Sequence, residues 1–112
     1  MQAAERVSQI QVAHSDRDAL QAIVDDLLEL RLIACGQLLG PVRSSYRWEG
    51  ALHHEEEWLA LLKTAHAAVP DVLARVRELH GYEIPEILAT DAADGHPAYL
   101  RWVLEQTGQG RG

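Results

Sequence analysis

The residues best suited to chemistry in this 112-residue chain are one cysteine, one lysine and six histidines, and their spacing limits what they can do. Copper and zinc sites need about three or more converging nitrogen or sulfur ligands, and no local run supplies such a framework. His53 and His54 are neighbours on a strand, so their side chains point to opposite faces and do not share one ion. His54-Glu55-Glu56-Glu57-Trp58 lacks the second histidine of a zinc-protease helix and sits in strand context. The surrounding charge therefore reads as a solvated hairpin tip. Cys35 stands between apolar Ile33 and Leu38 without a basic neighbour to lower its pKa, which suits a small buried hydrophobe better than a redox or metal centre. His80 falls at the end of a helix, where the dipole favours its charged form. Capping or a hydrogen bond is expected there, with metal ligation the alternative. Cys35 and His80 are the two metal-ligand candidates.

Lys63 is the only lysine, and it ends a very apolar strand, where an ammonium calls for a carboxylate partner. Glu86 and Glu83 are the expected partners, with Trp48 and Tyr82 placed to wall a cleft at a subunit boundary. Trp48, Lys63, Tyr82 and Glu86 thus form a candidate intersubunit cleft, read either as a structural ion pair or as a pocket for an anion or small ligand. There is no nucleophile motif, P-loop or dinucleotide glycine pattern, and Gly108-Gln109-Gly110 follows a helix instead of a strand. A non-enzymatic protein is expected.

The elements that must position these residues follow from periodicity. Residues 7–13 alternate well enough for a first strand, ending at the polar His14-Ser15-Asp16. Ser15 and Asp18 have the spacing of a helix-start box. Leu20, Ile23, Val24, Leu27 and Leu28 then make an amphipathic helix over about 16–31. A second strand runs from Ile33 to Trp48, bent at Gly40-Pro41. Glu49-Gly50 turns it into a third, whose inner part, Trp58 to Leu62, is apolar at every position and reads as buried on both faces. Pro70 opens a second helix with a stripe at Val72, Leu73, Val76 and Leu79, capped by Gly81. EILATDA is a fourth strand, and a third helix begins around Asp94 and Pro97, its Tyr99 and Trp102 read as core and interface residues. The order βαββαβ plus a C-terminal helix is that of an α+β, ferredoxin-like domain over residues 1–106, with 107–112 a flexible tail. Two helices cover one sheet face in that fold. The other face is too apolar here to stay bare, so other copies of the chain should cover it.

Composition narrows the partners. Apolar residues are 47% and charged residues 24%, the balance of a folded globular domain. Seventeen acidic against ten basic side chains give a formal charge of −7, a field that repels nucleic acid. No apolar run is long enough to span a membrane. A single cysteine and a charged N-terminal region suggest a cytoplasmic protein.

Several segments resemble, in order and spacing, the CutA divalent-cation-tolerance proteins. Arg31-Leu32-Ile33-Ala34-Cys35 is similar to that family's helix-to-strand motif, and Ser44-Ser45-Tyr46-Arg47-Trp48-Glu49-Gly50 to its hairpin tip. Glu55-Glu56-Glu57, Leu62-Lys63-Thr64, His80 through Ile87, and Tyr99-Leu100-Arg101-Trp102 follow. The resemblance implies a PII-like homotrimer with the long hairpin reaching between subunits. It also implies a non-enzymatic role in tolerance of divalent ions, with Cu²⁺ or another divalent cation as ligand. The family's copper-associated cysteine position is occupied by Val12 and its histidine pair by Leu79-His80, so only His80 carries over. Two alternatives follow: a PII-like signalling module binding a small anionic ligand in intersubunit clefts, with Lys63, Arg43 or Arg47 as counter-charges, and a small monooxygenase-type enzyme working on an open sheet face.

Overall fold

A computed structural model describes residues 6–108. Four strands and three helices alternate as β1 (Val7–His14), α1 (Arg17–Glu29), β2 (Cys35–Trp48), β3 (Ala51–Ala65), α2 (Val69–His80), β4 (Ile87–Asp91) and α3 (Pro97–Gln106). A single 3₁₀ turn, His66–Ala68, leads into α2. The sheet order is β2-β3-β1-β4, with every neighbouring pair antiparallel, the ferredoxin-like arrangement.

The α1 cap is Asp16, one residue after the expected Ser15: its carboxylate accepts the Ala19 N–H at 3.0 Å. Leu20, Ile23, Val24 and Leu27 are buried along one side of the helix, while Leu28, counted in the stripe, is exposed. In α2 the buried ladder is Val72, Val76 and His80 at four-residue steps, and Leu79 faces outward. Leu20, Ile23, Val24, Leu27, Val72 and Val76 form the core with Ile10, Val12, Ala60 and Leu62, between the sheet and its two helices. Each fully buried Leu or Ile contributes roughly 1.5–3 kcal/mol. The sheet approaches α1 so closely at Gly36 that a Cβ there would lie 2.7 Å from Val24 Cγ1.

The hairpin is as long as expected and bent where expected. Register slips between Leu39 and Val42, at a Gly40-Pro41 bond that is cis. Gly40 has φ +145°, and a Cβ on it would meet the Trp58 ring at 2.9 Å. At the tip, Glu49 (φ 49°) and Gly50 (φ 79°) form the two-residue turn that suits a twisted hairpin.

Within the chain, β3 is not buried on both faces. Ala60 and Leu62 point to the core, but Leu59 and Leu61 are only half covered. Alternation puts Cys35, Gln37, Leu61 and Lys63 on the side opposite Gly36 and Leu62. The Cys35 thiol lies 3.6 Å from the Tyr99 hydroxyl, so α3 folds onto that second face and covers one end of it. The fold therefore shields part of the face without another copy. Tyr99 and Trp102, 5.8 Å apart and stacked, stay half exposed. The ordered chain also runs past the expected boundary at 106. Thr107 is buried, its hydroxyl donating to the Val103 carbonyl at 2.9 Å, and the Gly108 N–H donates to the Arg31 carbonyl at 3.1 Å. The rest of the expected tail, 109–112, lies outside the described residues.

Candidate functional site

His80 closes α2 and is only 3% exposed. Its Nε2–H donates to the Ala13 carbonyl at 2.6 Å. Beside it, His14 accepts the Asp16 N–H at Nδ1 (2.9 Å), which leaves Nε2–H to donate to the His80 carbonyl at 3.0 Å. Burial pushes the His80 pKa below the usual 6.5, outweighing the helix dipole expected to favour the charged form. The hydrogen-bonding role expected of His80 is the one it has, and its Nδ1 is buried without a partner.

Cys35 starts β2 half buried, and its neighbour Tyr99 has a phenol pushed up to about 12, first by burial and then by the thiol. In register Cys35 lies opposite Lys63, whereas His80 sits beside Ala13 and His14, opposite Leu59 and Trp58. Five residues of strand separate Lys63 from Trp58, roughly 17 Å. The two metal-ligand candidates are therefore too far apart to share an ion. No group of three or more His, Cys, Asp or Glu side chains is placed to hold a metal among the described residues.

The expected cleft assembles without its lysine. Lys63 Nζ donates to Gln37 Oε1 across the β2–β3 pair at 2.6 Å, and Glu86 instead accepts from Gln11 Nε2 at 2.9 Å. The antiparallel register carries Lys63 to the end of β3 remote from the hairpin tip, where it is half exposed, so water meets its charge and no carboxylate is required.

Trp48, Tyr82 and Glu86 do come together. They line a groove of about 900 Å³ between the outer hairpin and the segment joining α2 to β4. Tyr82 is fixed by donating to Ser15 Oγ at 2.6 Å and accepting the Ser15 N–H at 3.0 Å, its ring 4.5 Å from His80 and 5.0 Å from His14. Tyr46 faces the same groove, its phenol pKa raised by burial and then by the Glu55 and Glu57 carboxylates. Glu55, Glu56, Glu57, Glu83 and Glu86 all line it, and none of the lining residues is basic. Such a surface attracts cations and repels anions.

Glu57 was part of the expected solvated tip, yet it is only 8% exposed. The alternation that half-covers Leu59 and Leu61 also carries Glu57 onto that side, which was the signal for it. His53 and His54 do diverge as expected: one stacks on Tyr46 at 5.4 Å, the other meets Ser45 Oγ through Nδ1 at 2.8 Å.

A serine, a histidine and an aspartate also meet, at Ser8, His66 and Asp91. The Ser8 hydroxyl donates to Asp91 Oδ1 at 2.7 Å, His66 Nδ1–H donates to the same oxygen at 3.0 Å, and Arg6 pairs with Asp91 at 3.1 Å. In a catalytic triad the serine proton goes to imidazole and the nucleophile is reachable. Here the proton goes to the carboxylate and Ser8 is fully buried. The trio ties β1 and β4 to the end of β3.

Comparison with known proteins agrees with this architecture. The model of the CutA1 divalent ion tolerance protein family matches residues 8–106. The divalent-cation tolerance protein CutA of Thermus thermophilus is 40% identical over 91 residues, covering 81% of this chain and 88% of the relative. Its counterpart in Pyrococcus horikoshii is 37% identical over 92 residues, covering 82% and 89%. Among solved structures, the Thermus thermophilus Cut A1 protein superposes with a TM-score of 0.88 at 35% identity, covering 91% of this chain and 99% of that one. CutA from Xylella fastidiosa gives 0.88 at 31%, covering 92% and 99%. The chain belongs to the CutA1 divalent ion tolerance protein family.

Proposed function

We propose that this chain acts without catalysing a reaction, as a homotrimer in the cellular response to divalent metal ions. The observation that carries self-association is the sheet face left by α3: Leu59 and Leu61 are half covered, Leu39 stands exposed opposite Leu59, and Leu88 is exposed on the same face beyond Gln11 of β1. Apolar groups grouped in this way are what an association surface requires. The names of the relatives, divalent-cation tolerance proteins, support the metal-ion part. One chain's described residues offer no three-ligand cluster, so Cu²⁺ or another divalent ion is bound weakly or by groups brought together from more than one chain. The unpaired Cys35 thiol favours a reducing, cytoplasmic setting. The buried Ser8 and its proton's direction support a non-enzymatic role.

An anion-binding, PII-like role loses support because the groove is walled by carboxylates and Lys63 lies away from it. Calorimetric titration of the purified chain with Cu²⁺ and Zn²⁺ tests the metal reading. Saturable heat with either ion is expected. A flat response to both overturns it.

A further inference from the structure

We infer that the groove between the outer hairpin and the Tyr82–Glu86 segment is a binding site for an organic cation, an alkylammonium or guanidinium group. Glu57 carries the inference. It lines the groove, is more than nine-tenths buried, and has no hydrogen bond or ion pair among the described residues. No Glu57 oxygen is itself fully buried, so the carboxylate is the part of this side chain left open to the groove, and a partly desolvated charge there favours a cationic partner. Nothing basic in the lining provides one, and the net charge of −7 deepens the attraction.

The other lining groups define the kind of cation. Tyr46, Trp48 and Tyr82 present aromatic rings, whose negative faces attract ammonium and guanidinium groups and also cover their apolar carbons. A volume of about 900 Å³ suits an organic molecule and far exceeds a bare metal ion. The carboxylates are not gathered as metal ligands, since no three of them converge among the described residues. A preformed wall helps: Ser15 fixes Tyr82 through two hydrogen bonds, which limits the ordering cost of binding.

The test titrates the full chain with 1,4-diaminobutane and with arginine amide, with 1,4-butanediol as the uncharged control, reading heat and tryptophan fluorescence. Saturable binding of at least one amine, none of the diol, and a loss of about tenfold or more in Glu57→Gln are expected. Trp48→Ala, at the half-exposed hairpin tip, should also weaken binding and guards against a folding defect in the first variant. The inference is overturned if neither amine saturates by about 10 mM, or if both variants bind as the parent does. It is equally overturned if no amine binds and Glu57→Gln lowers the light-scattering mass, because a second copy then fills the groove.

Discussion

His14 and His80 pin β1 to α2 in both directions: the His14 imidazole donates to the His80 carbonyl at 3.0 Å, and the His80 imidazole donates to the carbonyl of Ala13, the residue before His14, at 2.6 Å. Their rings lie 4.5 Å apart, so the end of β1 is joined to the end of α2 directly beneath Tyr82 and the groove.

This junction should sense acid. Burial holds the His80 pKa below its unfolded value of 6.5, so the unfolded chain binds more protons between the two values. Its contribution to stability is complete above about pH 6.5 and is lost as pH falls through the folded value. Urea midpoints should fall across that window. His80→Leu should flatten the loss and cost about 1–3 kcal/mol near neutral pH, since the buried Ala13 carbonyl loses its donor. An equally steep loss in the variant would assign it to another group.

A second acid response lies lower. Arg75 grips Asp26 with two hydrogen bonds of 2.8 Å, clamping α2 to α1, and the guanidinium hydrogen bond holds the Asp26 carboxyl below its usual range. That contribution is present above about pH 3.9 and is lost as pH falls through the folded value. Asp26→Asn should lower the melting temperature modestly at neutral pH, with little difference at high salt. A salt-independent loss would point to packing.

Two adjacent leucines should behave differently. Leu62 is fully buried in the core, so Leu62→Ala should cost about 2–5 kcal/mol in urea unfolding. Leu61 faces the partly open side, so Leu61→Asp should leave a folded chain of reduced assembly mass. From sequence alone, with the strand taken as buried on both faces, Leu61→Asp would be expected to unfold the chain.

Gly36 tests the close approach of β2 to α1. Gly36→Ala sets a methyl 2.7 Å from Val24 Cγ1, inside the packed core. A loss of about 1–3 kcal/mol is expected, and Val24→Ala in the same chain should recover part of it relative to the sum of the single changes. Strict additivity would show that the two sites do not touch.

The strands, helices, hairpin and Gly40-Pro41 bend were all legible in local periodicity and turn chemistry. His14, expected as the polar end of a strand over 7–13, instead extends it: Ser8, Ile10, Val12 and His14 occupy alternate positions and all are buried. His80 likewise continues the Val72–Val76 ladder. What local pattern could not supply was pairing at a distance. The register that sends Lys63 to Gln37 and Glu86 to Gln11, and the choice of sheet face by α3, depend on contacts between residues far apart in sequence. The candidate site was legible as residue types, Trp48, Tyr82 and Glu86, and alternation marked Glu57 for the covered side, but the groove that gathers the carboxylates forms only once the hairpin folds beside the Tyr82–Glu86 segment.

Self-association through the hairpin face is the central structural claim of the proposed role, and light scattering of the purified chain measures it directly. A homotrimer predicts a mass three times that of the 12.5 kDa chain, falling toward the single-chain mass in Leu61→Asp. A parent protein that scatters as a monomer at every concentration would contradict it.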